Sequence, residues 1–239
     1  MKKIGFIGAF DKSNFIIYTA KLLELSGYKV LVVDATSVQK IKYIVPSVNP
    51  TKSYVTSFEN IDFAIGFENW KHIEDYLGIE LDTDDENIDG NPDDYRDTYD
   101  YVLLDIDSSE KIQSFNIESA YKNYFVTSFD MFSLRKGIAA FQELTVPMNL
   151  TKILFSYEST REDEEYLNYV SMEYRINWNE YTLYFRILGD DNKVFEENQR
   201  LEKIRFRRLS PSYKESLVYV VQDIDQSNNI TQLRRAMKE

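Results

Sequence analysis

Residues 2–34 read KKIGFIGAFDKSNFIIYTAKLLELSGYKVLVVD. Ile4 to Ala9 is a short apolar run with glycines at 5 and 8, the pattern of a strand buried on both faces. From Lys12 to Ser26 the period changes to that of a helix. Phe15, Ile16, Thr19, Leu22 and Leu23 share one stripe, and Lys21 and Glu24 lie off it. Gly27 fits the position just past a helix end, and Lys29 to Asp34 is a second apolar run. Strand, helix and strand in so few residues predict a right-handed βαβ unit. The turn holds Gly8, Asp11, Lys12 and Ser13, where a phosphate-binding loop would precede a helix N-terminus.

Outward from that unit, further apolar runs at 61–67, 101–105, 124–128, 152–157 and 182–188 alternate with helical patterns at 69–77, 131–144, 162–174 and 212–224. Residues 41–48 read as a strand or a short helix, broken by Pro46 and Pro50. Lys203 to Leu209 alternates, with Ile204 and Phe206 against Arg205 and Arg207, and predicts an edge strand. No internal repeat or linker interrupts the series. The sequence predicts one α/β domain over residues 1–226, with a mostly parallel central sheet flanked by helices, and a C-terminal tail at 227–239.

Composition narrows the chemistry. The chain has 239 residues, enough for a substantial core, and 43% of them are apolar. No cysteine is present, so disulfides, zinc–thiolate sites and cysteine nucleophiles are excluded. The single histidine, His72, excludes multi-histidine metal sites and reads as a surface residue of a helix. No run approaches the ~20 apolar residues of a membrane span, and the start carries no signal-peptide pattern, so a cytoplasmic protein is expected. The net charge of −12 disfavours indiscriminate contact with DNA but leaves room for a local basic patch. Arg200, Lys203, Arg205, Arg207, Arg208 and Lys214 supply one. It reads either as a contact for phosphates or as charge that protects a sheet edge from aggregation.

Residues 79–100 are strongly acidic. Asp85, Asn87, Asp89 and Gly90 match the front of a calcium-binding loop, but Arg96 stands at its twelfth position and Pro92 where an apolar residue is usual. A plain acidic loop is therefore expected. The tail places Ile230, Leu233 and Met237 on one helical side; that face is small for membrane binding, and a frayed terminus is expected. The many tyrosines and phenylalanines, several of them clustered at 166–185, read mainly as core, with an exposed share suited to a protein interface.

The order of these motifs resembles the MinD/ParA branch of P-loop ATPases, those with the deviant Walker A loop. GAFDKSNFIIYTAKLLELSGYKVLVVDAT at 8–36 lines up with that family's phosphate loop, helix and second strand. YDYVLLDID at 99–107 resembles its Walker B strand, and VTSFDMFSLRKGIAAF at 126–141 a following strand and helix. The resemblance implies nucleotide-binding positions at Gly8, Asp11, Lys12, Ser13, Asp34 and Asp105, with Ser13 and Asp105 holding magnesium if nucleotide binds. It also implies a homodimer, protein partners in a pilus, secretion, division or partition apparatus, and recruitment to the inner face of a membrane.

The departures fall on the chemistry. Ile7 stands where the family carries its signature lysine, Asp11 where it carries a glycine, Ala9 where it carries another, and Thr36 where a second aspartate is frequent. Such a loop works by aiming backbone N–H groups at an anion, which needs glycine conformations. Like unit charges ~4 Å apart repel by about 4 kcal/mol at an effective dielectric of ~20, so a carboxylate at 11 opposes a triphosphate. The sequence therefore predicts no efficient ATP hydrolysis and no required cofactor. A scaffold or positioning factor is the expected role, against the alternatives of an active Mg-ATP switch or a DNA-associated partition protein. In the scaffold reading Lys12 serves as a structural cation for Asp105 or Asp34.

Overall fold

The computed structural model describes residues 1–46, 53–78, 99–157 and 161–238. The EF-hand-like segment at 85–96 and the rest of the acidic stretch up to 98 lie outside them, as does the break at 47–52.

Among the described residues eight strands form one sheet in the order β3-β4-β2-β5-β1-β6-β7-β8. The strands are β1 (Lys2–Ile7), β2 (Val30–Asp34), β3 (Tyr54–Phe58), β4 (Ile61–Ile65), β5 (Tyr101–Ile106), β6 (Lys122–Ser128), β7 (Met148–Ser156) and β8 (Ile176–Arg186). All neighbours are parallel except β3 and β4. That hairpin turns at Glu59 and Asn60, both at positive φ, the geometry of a two-residue turn matched to strand twist. β2 and β5 are buried along their whole length, which is why both read as unbroken apolar runs.

Helices α1 (Ser13–Leu25), α6 (Gly189–Arg200), α7 (Pro211–Ile224) and α8 (Ile230–Ala236) contribute to the core on one face of the sheet. Helices α2 (Trp70–Leu77), α3 (Ser109–Ser114), α4 (Met131–Ala139) and α5 (Arg161–Val170) contribute to the core on the other. The strand order diverges at β1, with β5 and β2 on one side and β6 and β7 on the other. In open α/β sheets the crevice at such a switch point, outside the carboxyl ends of the strands, is where ligands bind. The β1–α1 turn lies there.

Two expectations are corrected. Residues 203–209 are not an edge strand but part of the loop joining α6 to α7. Their alternation arises because the loop plugs Ile204 and Phe206 into the α1 side of the core, Phe206 meeting the ring of Tyr18 edge-on at 5.3 Å. Arg205 and Arg207 point outward. The sheet edges are β3 and β8. The tail does not fray. It forms α8, with Asn229 accepting from the N–H of Thr231 as its cap and with Leu233 and Met237 buried in the core. The apolar side considered for a membrane is thus spent on packing.

At the amino ends of the strands, tyrosines hold the end of α7. Tyr28 and Tyr101 donate to Asp225 at 2.8 and 2.6 Å, and Tyr124 donates to Asp223 at 2.6 Å. These bonds, that of Tyr101 first, keep the Asp225 carboxyl well below its usual 3.8. A depressed carboxylate stabilises the fold above its unfolded pKa, and that contribution is lost as pH falls through the native value. Asp225→Asn should therefore lower stability at pH 7 and flatten the loss of stability below pH 4, as read by urea unfolding across that range.

Candidate functional site

Strand β1 ends at Ile7, and only Gly8, Ala9, Phe10 and Asp11 separate it from Lys12, the residue that caps α1. The pattern G-x-x-x-x-G-K-[ST], laid on Lys12 and Ser13, calls for glycines at 6 and 11. Phe6 lies inside β1 with its ring fully buried against Phe15 and Tyr124, and Asp11 is a carboxylate. Ile7, where the resemblance places the signature lysine, is fully buried in the core on the α4 side of the sheet.

Lys12 turns inward and is only 2% exposed. Its Nζ donates to the Gly8 carbonyl at 2.7 Å and meets Asp105 Oδ1 at 2.6 Å as an ion pair. Asp105, near the end of β5, is as deeply buried, and it sits opposite Asp34 in the β2–β5 register. Burial pushes its carboxyl up to about 7, against the opposing pull of Lys12, and Asp34 adds to the rise. Asp34 is also raised by burial, although it accepts from Thr36 Oγ1 at 2.6 Å, Thr36 N at 3.1 Å and Ile41 N at 2.9 Å. The aspartate thus organises the turn after β2. The sequence-derived set Gly8, Lys12, Asp34 and Asp105 comes together, with one cation between buried carboxylates.

Asp11 takes a different place. Its Oδ1 accepts from the Ser13 N–H at 3.3 Å, and its Oδ2 pairs with Lys40. It therefore occupies the N-terminus of α1, where orphan N–H groups and the helix dipole attract an anion. Gly8 has φ +147, and a Cβ there would meet the Val126 carbonyl oxygen at 2.1 Å. Its conformation is required by the close approach of β6.

The basic stretch is split. Arg200 and Arg208 pair with Glu196 and Glu197 of α6, and Lys214 reaches the Arg207 carbonyl at 3.3 Å. The near end of the stretch adjoins the start of α1, where Gln199 donates to Asn14 at 2.9 Å.

No family model matches the sequence, and no curated protein matches it. Solved structures do. A plasmid partition protein of Borrelia burgdorferi bound to AMPPNP superposes with a TM-score of 0.57 at 14% identity, over 95% of this chain and 98% of that one. The MinC:MinD cell division complex of Aquifex aeolicus gives 0.56 at 13% identity, over 100% and 96%. An ATP complex of a Cyanothece McdA variant gives 0.52 at 12% identity, over 93% and 95%. The fold is that of the ParA/MinD ATPases. At such identities the likeness extends to architecture and not to chemistry.

The nucleotide that the ParA/MinD fold implies can be tested against these residues. A triphosphate at α1 would have to displace the Asp11 carboxylate from the Ser13 N–H and draw Lys12 away from Gly8 and Asp105. The glycines that let backbone approach phosphate are absent at 6 and 11. Magnesium would fall to Ser13 and Asp105, and Asp105 already shares its buried environment with Lys12. The donor set suits an internal ion pair better than an incoming anion. Among the described residues no cluster of three or more metal-ligating side chains occurs, and no helix is long and apolar enough to cross a membrane.

The sequence missed three functional features. Asp130, Asp191 of α6 and the aromatic side chains of Phe10 and of Phe155 at the end of β7 line the same crevice. Asp130 had a legible signal, as the cap three residues before Ser133 at the start of α4.

Proposed function

We propose that this chain is a non-hydrolysing scaffold or positioning factor built on the ParA/MinD fold, in which the nucleotide cradle has become a structural ion-pair centre. The observation that carries this reading is the double occupation of the cradle. Asp11 fills the anion position at α1, and Lys12 is committed to Gly8 and Asp105. A buried cation held by two partners is costly to pull out, because each buried charge left behind is uncompensated. The Asp11 carboxylate adds repulsion toward phosphate.

Association with protein is supported by the surface around the crevice. Phe132 at the start of α4 is 65% exposed and Tyr157 after β7 is 72% exposed, and both flank the carboxyl ends of the strands. Large apolar side chains grouped on one face mark a contact surface. The partition, division and McdA proteins with this fold favour a role in positioning a larger assembly.

Titration calorimetry with Mg-ATP, with oligomeric state followed by light scattering, tests the reading. Heats no larger than dilution at millimolar nucleotide, and a mass unchanged by ATP, are expected. Saturable binding with ATP-dependent dimerisation would establish the switch reading instead.

A further inference from the structure

A cavity of about 500 Å3 opens beside the Lys12 centre, at the carboxyl ends of β6, β7 and β8. That volume suits a small organic ligand. Its apolar wall is aromatic. Phe10 stacks on Phe155 with ring centroids 4.6 Å apart, and Phe129 and Tyr157 complete the wall toward solvent.

Helix N-termini surround the cavity, and a ring of positive helix ends normally draws an anion. At α1, α4 and α7 that place is already taken by a carboxylate of the chain, and at α6, whose cap Leu188 lines the cavity, Asp190 and Asp191 stand in the first turn. Asp11 accepts from Ser13 N at the start of α1. Asp130 accepts from Ser133 N at 2.9 Å at the start of α4. Asp191 accepts from the N–H and hydroxyl of Ser210, the cap of α7, at 2.6 and 2.7 Å. Among the described residues the cavity lining carries three carboxylates, Asp11, Asp130 and Asp191, and one cation, Arg186 at the end of β8. Lys40 offsets Asp11 from outside it. Of the three, Asp130 is exposed and makes no ion pair among the described residues; its oxygens accept from Ser128 Oγ and the Ser133 N–H, and its negative charge stands at the cavity rim.

We propose that this cavity binds a small organic cation, an amine on a flat apolar body. The body lies against the aromatic wall at Phe10 and Tyr157, Phe155 being covered on both faces by Phe10 and Phe185, and the ammonium pairs with the Asp130 charge. An aromatic wall favours cations through the ring quadrupole, and the acidic rim excludes the carboxylate or phosphate that the fold's helix ends would otherwise attract. This inference rests on the reading that the cradle takes no triphosphate.

The test uses two probes with the same ring system and opposite charge, tryptamine and indole-3-propionate. They are titrated into the full chain and followed by amide NMR shifts. Saturable shifts at Phe10, Ser128 to Asp130 and Tyr157 are expected with tryptamine, and binding at least about tenfold weaker with the propionate. Asp130→Asn keeps the helix cap and removes the charge; it should weaken tryptamine about fivefold and leave the fold intact. Tyr157→Ser, at an exposed position, should weaken both probes. Equal or tighter binding of the propionate, an unchanged affinity in Asp130→Asn, or no saturable shift with either probe overturns the proposal. ATP that binds and displaces tryptamine would overturn the scaffold reading as well, whereas silence with both ATP and tryptamine overturns the amine site alone.

Discussion

Lys12→Met should destabilise the protein by about 3–5 kcal/mol at pH 8.5 and leave it as stable as the wild type, or more so, at pH 5. The asymmetry follows from the Asp105 carboxyl, which burial raises from 3.8 to about 7. Between those values the native state holds a proton that the unfolded chain has lost. Stability from this group is fully present below the unfolded pKa, falls by about 1.4 kcal/mol per pH unit between the two values and levels off once pH has risen through the native one. At pH 8.5 the wild type pairs an ionised Asp105 with Lys12. Without the cation Asp105 must either protonate against the solvent or remain charged beside Asp34, both costly. At pH 5 Asp105 is neutral in both proteins, and the wild type alone keeps a buried ammonium. Lys12→Met combined with Asp105→Leu should recover most of the loss at pH 8.5 and remove the pH dependence of the difference, since replacing a whole buried pair by apolar groups is often near neutral. Urea unfolding of the three proteins at both pH values decides it. A Lys12→Met variant no less stable at pH 8.5 would show that the ion pair does not hold the cradle together.

The sheet was legible where burial dictates sequence. Buried parallel strands must be apolar on both faces, so β1, β2, β5 and β6 announced themselves, and the resemblance of their motifs to the ParA/MinD family implied the rest of the architecture. The α6–α7 loop was illegible because its alternation of Ile204 and Phe206 with arginines mimics a strand. Only tertiary contact with Tyr18 reveals a loop pressed onto a core. Helix α6 escaped for the opposite reason. Its sequence, GDDNKVFEENQR, is mostly polar and buries Asp191 and Asn198 through hydrogen bonds that no periodicity records. At the site, the contact of Lys12 with Asp105 was anticipated as one of two pairings. The capture of the α1 terminus by Asp11 was not, because a carboxylate two residues before a helical N–H reads from sequence only as a missing glycine.

Gly8→Ala should destabilise the nucleotide-free protein by about 3 kcal/mol or more, from a strained φ and a backbone collision together. At φ +147 the residue sits outside the regions open to side chains, and its new Cβ would lie 2.1 Å from the Val126 carbonyl oxygen. That oxygen belongs to β6, which is fixed between β1 and β7, so the collision cannot be relieved by a rotamer change. Gly27→Ala is the control. Gly27 also has a positive φ, +92, but nothing lies within 4 Å of its added Cβ, and about 1–2 kcal/mol is expected from conformation alone. The comparison bears directly on function, because Gly8 is the one glycine of the loop at a position where the resemblance to the ParA/MinD phosphate loop implies one. A phosphate-binding loop keeps glycines to let an anion approach; a strand crossing keeps one to let a carbonyl approach. Thermal and urea unfolding without nucleotide separates the two. A large loss in Gly8→Ala assigns the glycine to the packing of β1 against β6. A loss no greater than that of Gly27→Ala would leave its retention without a structural cause and would return the anion to the cradle.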